Sequence, residues 1–551
     1  MKRTKALPLC LLSLLSLTLI SCGGGKDGTE TNTIQHEEFI SSNTGAPRES
    51  KYPYETKSSY MIYYGVLNDD IIDEAKQYEV FILHPKMGDV TRDQVQEIRS
   101  SGTIVLGYIA IGEDLRTANL TPEEILKDDR FIGDGTGPRV DPRPAGTTAL
   151  DGVDPLGVSS PGGTGYASYF LDDNDHNGKP DINPVFNCAF TNIGDPAWFE
   201  VLDQMTIDGF DKIPGIKEIL SDDYGRGLGC DGLFLDTIDT CAPNSYTDDN
   251  SYNKTRFEWT ATGVADFMAR VKEAYPDKLL LQNRGIFFYN PQLPHYKYNP
   301  RQYVDYVMYE SYHLDSNTNS LFQDGFSRDN RYNYAPKLVA EASRPDGFQV
   351  LSLGYAEGPE EYHLKETLFD NSTAGLDILM EDIAYAQEVG FMHYITDGSV
   401  TMVNDFVIHH ESKEDSTAPV WNSTYNSSPV WPPEAPTPRV GVQEVQAEKG
   451  GVTVRWDIAT DKNPVTYVLY YQMKPFDFDA DPELTGAESI ELIPEIGDGY
   501  ENGVGPNVYP NQATVSGLES KKTYYFLLRA RDASENHNED DNQIVKTCVP
   551  K

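Results

Sequence analysis

The chain has 551 residues, of which 39% are hydrophobic and 11% aromatic, and this composition excludes a disordered or collagen-like protein. Its formal net charge is −41, from 86 acidic and 45 basic residues. A surface of this charge repels phosphate backbones, so we expect no nucleic acid among the partners. At about 100 to 200 residues per domain, the length predicts two or three domains.

Residues 1–21 have the pattern of a secretory signal peptide, with a basic start and an apolar stretch over 7–20 that is too short to span a bilayer. The stretch ends in Leu19-Ile20-Ser21-Cys22, which matches the lipobox of bacterial lipoproteins. We therefore expect a lipid anchor on Cys22, with the membrane as a partner and the cell envelope, at the outer membrane, as the location. A plain secretory signal with an incidental cysteine is the alternative. Residues 22–54 are polar and predict a flexible tether.

Residues 55–412 alternate short apolar runs with longer amphipathic segments, which is typical of βα units and a parallel sheet. Eight apolar runs are present, at 61–64, 80–83, 104–109, 232–236, 279–282, 306–310, 349–353 and 391–394. Eight strands with helices between them predict a (β/α)8 TIM barrel in the α/β class.

About 120 residues separate the third and fourth predicted strands, and a loop that long is usually functional. Within it Asp173, Asp175, Asn177 and Asp181 alternate around a glycine, as the oxygen ligands of a calcium loop do. An EF-hand is excluded, because its twelfth position needs Glu and Pro184 stands there. A structural calcium site and an Asx-rich turn without metal both remain open, and no other cofactor is expected.

Two further segments follow the barrel. Residues 413–438 are rich in proline and predict a stiff linker, and residues 439–551 alternate apolar and polar positions as sandwich strands do. One pattern resembles a strand of a fibronectin type III domain: Leu518 is followed by apolar or aromatic residues at every second position from Tyr524 to Ala530, with Tyr524 as the tyrosine corner. That resemblance implies a spacer or docking module without site chemistry of its own.

Four cysteines remain after the signal peptide and Cys22. In an oxidising compartment disulfides form, and we expect Cys230 to pair with Cys241, or one of them to pair with Cys188.

In a (β/α)8 barrel the functional groups lie at the C-terminal ends of the strands. The polar residues at or just beyond the predicted strand ends are Tyr108, Glu113, Asp236, Asn283, Glu310, Tyr312, Tyr355 and Asp397. We expect these side chains to share one face of the barrel.

Several of these segments resemble a known family. Tyr-Tyr-Gly at 63–65, Gly-Tyr-Ile-Ala-Ile-Gly-Glu at 107–113, Asp-Gly-Leu-Phe-Leu-Asp at 231–236 and a sixth strand closed by Glu310 are similar to glycoside hydrolase family 114. Its known activity is endo-α-1,4-polygalactosaminidase, and the likeness runs over about residues 55–405. The resemblance implies that Asp236 and Glu310 are the catalytic carboxylates. The long insertion after strand three departs from the family and leaves the substrate open.

Two carboxyl groups are also what glycosidic cleavage requires, because one protonates the leaving oxygen and the other attacks the anomeric carbon or activates water. We interpret Asp236 as the nucleophile and Glu310 as the general acid/base, with the reverse assignment open. The remaining strand-end residues are expected to bind an α-linked amino-sugar polysaccharide, the acidic ones favouring an ammonium group: Tyr108, Glu113, Asn283, Tyr312, Tyr355 and Asp397. A non-catalytic glycan-binding or adhesion lipoprotein is the alternative.

Overall fold

The computed structural model of the protein describes residues 59–163, 165–247, 255–315, 325–370, 373–403 and 415–551. The predicted signal peptide, the lipidation site at Cys22 and the tether lie outside these ranges. Within them, no helix is both long enough and apolar enough to cross a membrane.

A single sheet of eight parallel strands forms the larger domain, and each strand pairs with the next along the chain. The strands are β1 (Tyr60–Tyr63), β2 (Val80–Leu83), β3 (Ile104–Ala110), β4 (Gly232–Asp236), β5 (Leu279–Asn283), β6 (Tyr306–Glu310), β7 (Gln349–Tyr355) and β8 (Met392–Thr396). Their order confirms the predicted (β/α)8 barrel. All eight are almost completely buried, which explains why each appears in the sequence as a continuous apolar run.

The ends of the sheet meet between β1 and β8. The amide of Tyr64 donates to the carbonyl oxygen of Val400 over 2.7 Å. Beneath it the ring of Tyr60 packs against that of Tyr394 at 5.8 Å. The Tyr60 hydroxyl also crosses the barrel to the carbonyl oxygen of Ser352, at 2.6 Å. These large side chains fill the interior, so the barrel is a packed core and not a pore.

Helices connect the strands. They are α1 (Asp69–Ala75), α2 (Arg92–Arg99), α3 (Pro122–Ile125), α4 (Pro196–Gln204), α5 (Ile216–Leu220), α6 (Asn244–Thr247), α7 (Val264–Ala274), α8 (Gly325–Asp329), α9 (Ala335–Ala342), α10 (Leu364–Asp370) and α11 (Leu376–Glu388), with a π-helical turn at Asn330–Tyr334. Short 3₁₀ turns lie at Leu115–Thr117, Asp129–Phe131, Ile238–Cys241, Glu258–Gly263, Ile286–Tyr289, Pro294–Tyr298, Glu360–Tyr362 and Tyr500–Asn502. Helix α2 shows how the sequence sets a boundary, because Thr91 and Gln94 form a complete capping box at its start.

The long insertion between β3 and β4 folds back onto the top of the barrel. Its short strands pair as two antiparallel ladders, Glu113–Asp114 with Ala189–Phe190 and Arg139–Val140 with Val158–Ser159, and a further extended segment spans Ile132–Gly137. The indole of Trp198 donates to the carbonyl oxygen of Ile111 at 2.7 Å, which ties the insertion to the end of β3.

The C-terminal domain is a β-sandwich of two four-stranded antiparallel sheets. Its strands are β9 (Val420–Trp421), β10 (Val442–Glu448), β11 (Gly451–Trp456), β12 (Ala459–Thr460), β13 (Val465–Gln472), β14 (Glu488–Leu492), β15 (Glu495–Ile496), β16 (Asn511–Ser516), β17 (Tyr524–Asp532) and β18 (Val545–Cys548). One sheet has the order β10-β11-β16-β15 and the other β14-β13-β17-β18, while β9 pairs with β12. The Tyr524 hydroxyl accepts from the amide of Glu519 at 3.1 Å, the bond expected of a tyrosine corner.

The sandwich contacts the barrel directly. Arg344, just after α9, is only 5% exposed, and its guanidinium donates to Pro510 O at 2.7 Å and Asn511 Oδ1 at 3.2 Å. Part of the segment predicted as a linker belongs to the sandwich, because β9 lies within it and Trp421 is buried in the sandwich core.

The predicted disulfides are wrong, because Cys230 and Cys241 are both thiols. They lie on either side of β4, whose five residues span about 17 Å at roughly 3.3 Å per residue. A disulfide requires Cα atoms less than about 7 Å apart. The Cys241 thiol donates instead to the carbonyl oxygen of Ile238 at 3.1 Å.

Candidate active site

Asp236 and Glu310 are brought together by the side chain of Asn283. These three are the last residues of β4, β6 and β5, respectively. The Asn283 amide nitrogen donates to Asp236 Oδ1 at 2.8 Å and to Glu310 Oε2 at 2.7 Å. Since one nitrogen is bonded to both oxygens, those two oxygens are no more than about 5.5 Å apart, a limit below the separation that inverting glycosidases need.

A tyrosine holds the far oxygen of each carboxyl group. The Tyr108 hydroxyl donates to Asp236 Oδ2 at 2.8 Å, and the Tyr355 hydroxyl donates to Glu310 Oε1 at 2.7 Å. Each carboxyl group therefore has a donor on both oxygens, and its orientation is set by β3, β5 and β7. Asn283, Tyr108 and Tyr355 were predicted to contact substrate, and the structure also places them as supports of the acidic pair.

The two carboxyl groups differ in their electrostatic environments. Burial, followed by the charge of Asp236, raises the pKa of Glu310 to about 7, although Arg284 and the bonds from Asn283 and Tyr355 act to lower it. Burial also raises the pKa of Asp236, and the bonds from Asn283 and Tyr108 oppose that effect. Glu310 therefore titrates near neutral pH, so it can both give and take a proton there, as a general acid/base must.

The backbone turns sharply after each of these three strands. Thr237, Arg284 and Ser311 follow Asp236, Asn283 and Glu310 directly, and all three have left-handed backbones, with φ of 66°, 56° and 57°. Such conformations are unfavourable for residues other than glycine, and most of all for a β-branched threonine. Strain of this kind persists only where the surrounding contacts enforce it, and it is concentrated at functional sites.

The contacts of Thr237 show how that turn is held. Its hydroxyl accepts from the amides of Ile111 and Gly112, at 3.2 and 2.7 Å, and donates to the carbonyl oxygen of Asp236 at 2.6 Å. These bonds join the end of β3, which carries Tyr108, to the end of β4.

Glu113 lies next to this centre and is 3% exposed. Asn183, from the insertion, donates to Glu113 Oε1 at 2.6 Å. Burial raises the pKa of Glu113 to about 8, and the charge of Asp236 adds to the effect. Glu113 is therefore mostly protonated at neutral pH, and its predicted role as a counter-ion for an ammonium group stays a prediction.

Tyr312 and Asp397 do not contact the acidic pair. The Tyr312 ring packs against Phe391 at 5.3 Å, and its hydroxyl has no hydrogen-bond partner within the described part of the chain. The Asp397 carboxylate accepts from the Thr401 amide at 2.9 Å and from the Ser399 hydroxyl, so it caps the turn after β8.

The acidic loop of the insertion brings together a set different from the one predicted. Oxygens of Asp172, Asp175 and Asp181 lie within 4.8 Å of one another. Asp173 instead accepts from the indole of Trp259 and from the amide of Asp141. The Asn177 oxygen accepts from the Lys179 amide at 2.9 Å, which is the local bond of an Asx turn.

Sequence reasoning missed Tyr64 and His84 as components of the site. The Tyr64 ring lies 5.4 Å from both His84 and Tyr108, and His84 stacks on Tyr108 at 4.5 Å. The charges of Asp236 and Glu310 contribute to the raised pKa of Tyr64, after burial. Tyr64 follows β1, so applying the strand-end rule to the first strand would have found it.

No protein-family model matches this sequence, and no curated protein matches it. Solved structures that align with it include the glycoside hydrolase domain of PelA from Pseudomonas aeruginosa, at 16% identity and a TM-score of 0.35, over 63% of this chain and 98% of that chain. Ega3 of Aspergillus fumigatus in complex with galactosamine aligns at 12% identity and a TM-score of 0.32, over 64% of this chain and 95% of that chain. Trehalose-6-phosphate hydrolase of Bacillus licheniformis aligns at 12% identity and a TM-score of 0.33, over 66% of this chain and 67% of that chain. The TM-scores are too low to add to the strand order, on which the fold assignment rests.

Proposed function

We propose that this protein is a glycoside hydrolase that cleaves an α-linked amino-sugar polysaccharide, with Asp236 as nucleophile and Glu310 as general acid/base. The observation that carries the proposal is the single amide of Asn283 bonded to both carboxyl groups. This amide, at the end of β5, holds together the two carboxyl groups at the ends of β4 and β6, the strands on either side of it.

The reaction follows from these positions. The ionised Asp236 attacks the anomeric carbon while the Glu310 carboxyl group gives its proton to the glycosidic oxygen, and the carbon–oxygen bond breaks. Glu310, now ionised, removes a proton from water, and the resulting hydroxide displaces Asp236 from the glycosyl ester. The second proton transfer restores both groups to their starting states.

The upper limit of about 5.5 Å between Asp236 Oδ1 and Glu310 Oε2 favours direct attack by Asp236 over attack by a water molecule. An inverting enzyme needs about 6.5 to 9.5 Å for that water. We therefore expect the first product to keep the anomeric configuration of the substrate, which proton NMR of the initial products measures directly.

The substrate class rests on the sequence resemblance and on charge. A polymer carrying free amino groups is cationic, and it is attracted over a distance to a protein with a net charge of −41. We further propose that Cys22 carries a lipid that anchors the protein to the outer membrane. Labelling with a radioactive fatty acid, and its loss in Cys22→Ser, tests the anchor.

The decisive measurement is product release from partly deacetylated α-1,4-galactosamine polymer by the purified protein and by Asp236→Asn and Glu310→Gln. Each variant should lose at least about a hundredfold in kcat. Asp305→Asn is the matched control, since Asp305 precedes β6 at the opposite end of the barrel and bonds to Lys272 at 2.8 Å. Binding without product release by the parent would instead favour a glycan-capture protein.

A further inference from the structure

A small cavity lies beside the catalytic pair, between the end of β3 and the insertion. Its volume is about 20 Å3, and its polar lining residues are His84, Lys86, Tyr108 and Glu113. The rest of the lining is apolar and includes Trp198, Leu202, Met205, Ile213 and Pro214. The space is sufficient for two or three bonded heavy atoms, and it is too small for a sugar ring.

Glu113 provides a buried polar atom without a partner among the residues that line this cavity. One of its oxygens is bonded to Asn183, whereas Oε2 is buried and has no hydrogen-bond partner within the described part of the chain. A buried polar atom without a partner is unfavourable by about 1 to 3 kcal/mol, so such an atom in a cavity wall indicates that a ligand supplies the missing partner. Because the buried carboxyl group holds its proton at neutral pH, it is a donor.

The chemistry of the walls selects the class of ligand. An ammonium group would lose its hydration in this largely apolar cavity, would share it with the cationic Lys86, and would gain little from an uncharged acid. An acyl group needs one donor for its oxygen and an apolar surface for its methyl group, and the cavity has both. Two or three heavy atoms are also what the volume accommodates.

The cavity also lies close to the carboxylate that we propose as the nucleophile. Tyr108 connects the two sites, because its ring lines the cavity and its hydroxyl bonds to Asp236 at 2.8 Å. If the anomeric carbon lies against Asp236, the substituent on the adjacent ring carbon is within reach of the groups around that carboxylate, and Tyr108 is one of them. In an amino sugar this substituent is the nitrogen and whatever it carries.

We propose that this cavity is the subsite for the N-acyl group of the sugar whose bond is cut, with Glu113 donating to the acyl oxygen and the wall of Met205 and Leu202 against the methyl group. The inference rests on the proposed glycosidase and refines its substrate. The enzyme then cuts after N-acetylated residues, and the free amino groups lie at neighbouring positions of the chain.

The test compares cleavage of N-acetylated and fully deacetylated α-1,4-galactosamine oligomers by the full chain. We expect the parent to prefer the N-acetylated oligomer. Glu113→Ala should reduce the ratio of the two kcat/KM values by about tenfold, because a hydrogen bond is lost. Glu113→Gln should keep most of the ratio, because its amide still donates to the acyl oxygen while it accepts from Asn183.

A second variant tests the apolar wall without removing Glu113. Ile213 is only partly buried, so Ile213→Phe should fold and fill the cavity, and it should reduce the same ratio. Ile71→Phe, on α1 and equally half-buried, is the matched control and should leave the ratio unchanged.

The outcomes separate this inference from the proposed function. If the parent protein cuts the deacetylated oligomer as well as or better than the N-acetylated one, the proposed subsite is refuted and the proposed glycosidase stands. The same conclusion follows if the ratio of the two kcat/KM values is unchanged in both Glu113→Ala and Ile213→Phe. If neither oligomer is cut, the glycosidase fails, and calorimetric binding of the same oligomers decides the subsite. The subsite is supported if the parent protein binds the N-acetylated oligomer more tightly and Glu113→Ala abolishes this preference. It is refuted if both oligomers bind equally or neither binds.

Discussion

Replacing Asn283 with alanine removes the amide that bonds to both catalytic carboxyl groups. Each of those bonds stabilises the ionised carboxylate, so each lowers a pKa, and their loss raises the pKa of Asp236 and of Glu310. A hydrogen bond to a charged group contributes about 1.5 to 3 kcal/mol, and one pKa unit corresponds to about 1.4 kcal/mol. The expected increase is therefore about one to two units for each group.

This change has a characteristic effect on the dependence of kcat/KM on pH. The acidic limb reports ionisation of Asp236, and the basic limb reports loss of the Glu310 proton, near pH 7 in the parent. Because both pKa values increase in Asn283→Ala, the whole bell moves to higher pH. The maximal rate should also fall about ten- to a hundredfold, since the carboxyl groups lose their common support.

Asn463→Ala is the matched control for this experiment. The Asn463 amide donates to Asp415 Oδ2 at 2.7 Å and is buried, but it lies in the sandwich. We expect Asn463→Ala to lower the free energy of unfolding and to leave the pH profile unchanged. A profile of Asn283→Ala that moves to lower pH, or that coincides with the parent at the parent's rate, would refute the reasoning.

Three further predictions concern the supports of the site and the domain contact. Tyr355→Phe removes the 2.7 Å donor to Glu310, so titration of kcat/KM should show only the basic limb moved to higher pH, by about one unit. Thr237→Val keeps the β-branched shape but loses the hydroxyl bonds between the ends of β3 and β4, so it should lower both kcat and the melting temperature. An unchanged kcat would show that this turn does not position Asp236. Arg344→Ala removes the bonds to Pro510 and Asn511 and should lower the free energy of unfolding by about 2 kcal/mol. Calorimetry should then show separate transitions for the barrel and the sandwich, and a single unshifted transition would contradict this prediction.

The sequence alone determined the architecture, because buried parallel strands leave a direct signal in it. A strand covered on both faces is apolar at every position, so the eight runs stood out, and the strand-end rule then selected Asp236, Asn283 and Glu310. Tyr312 also follows a strand end, but the chain there turns through Ser311, at φ 57°, and the Tyr312 ring packs against Phe391 and does not contact the acidic pair.

Only the tertiary structure decided how these groups act on one another. That the Asn283 amide reaches both carboxyl groups depends on the stagger between neighbouring barrel strands, which no local pattern encodes. The charge of Glu113 was interpreted from its residue type, yet its burial under the insertion makes it a neutral acid. The protonation state of a carboxyl group depends on the solvent and donors around it, and in this protein they come from segments more than 60 residues apart, such as the Asn183 that bonds to Glu113.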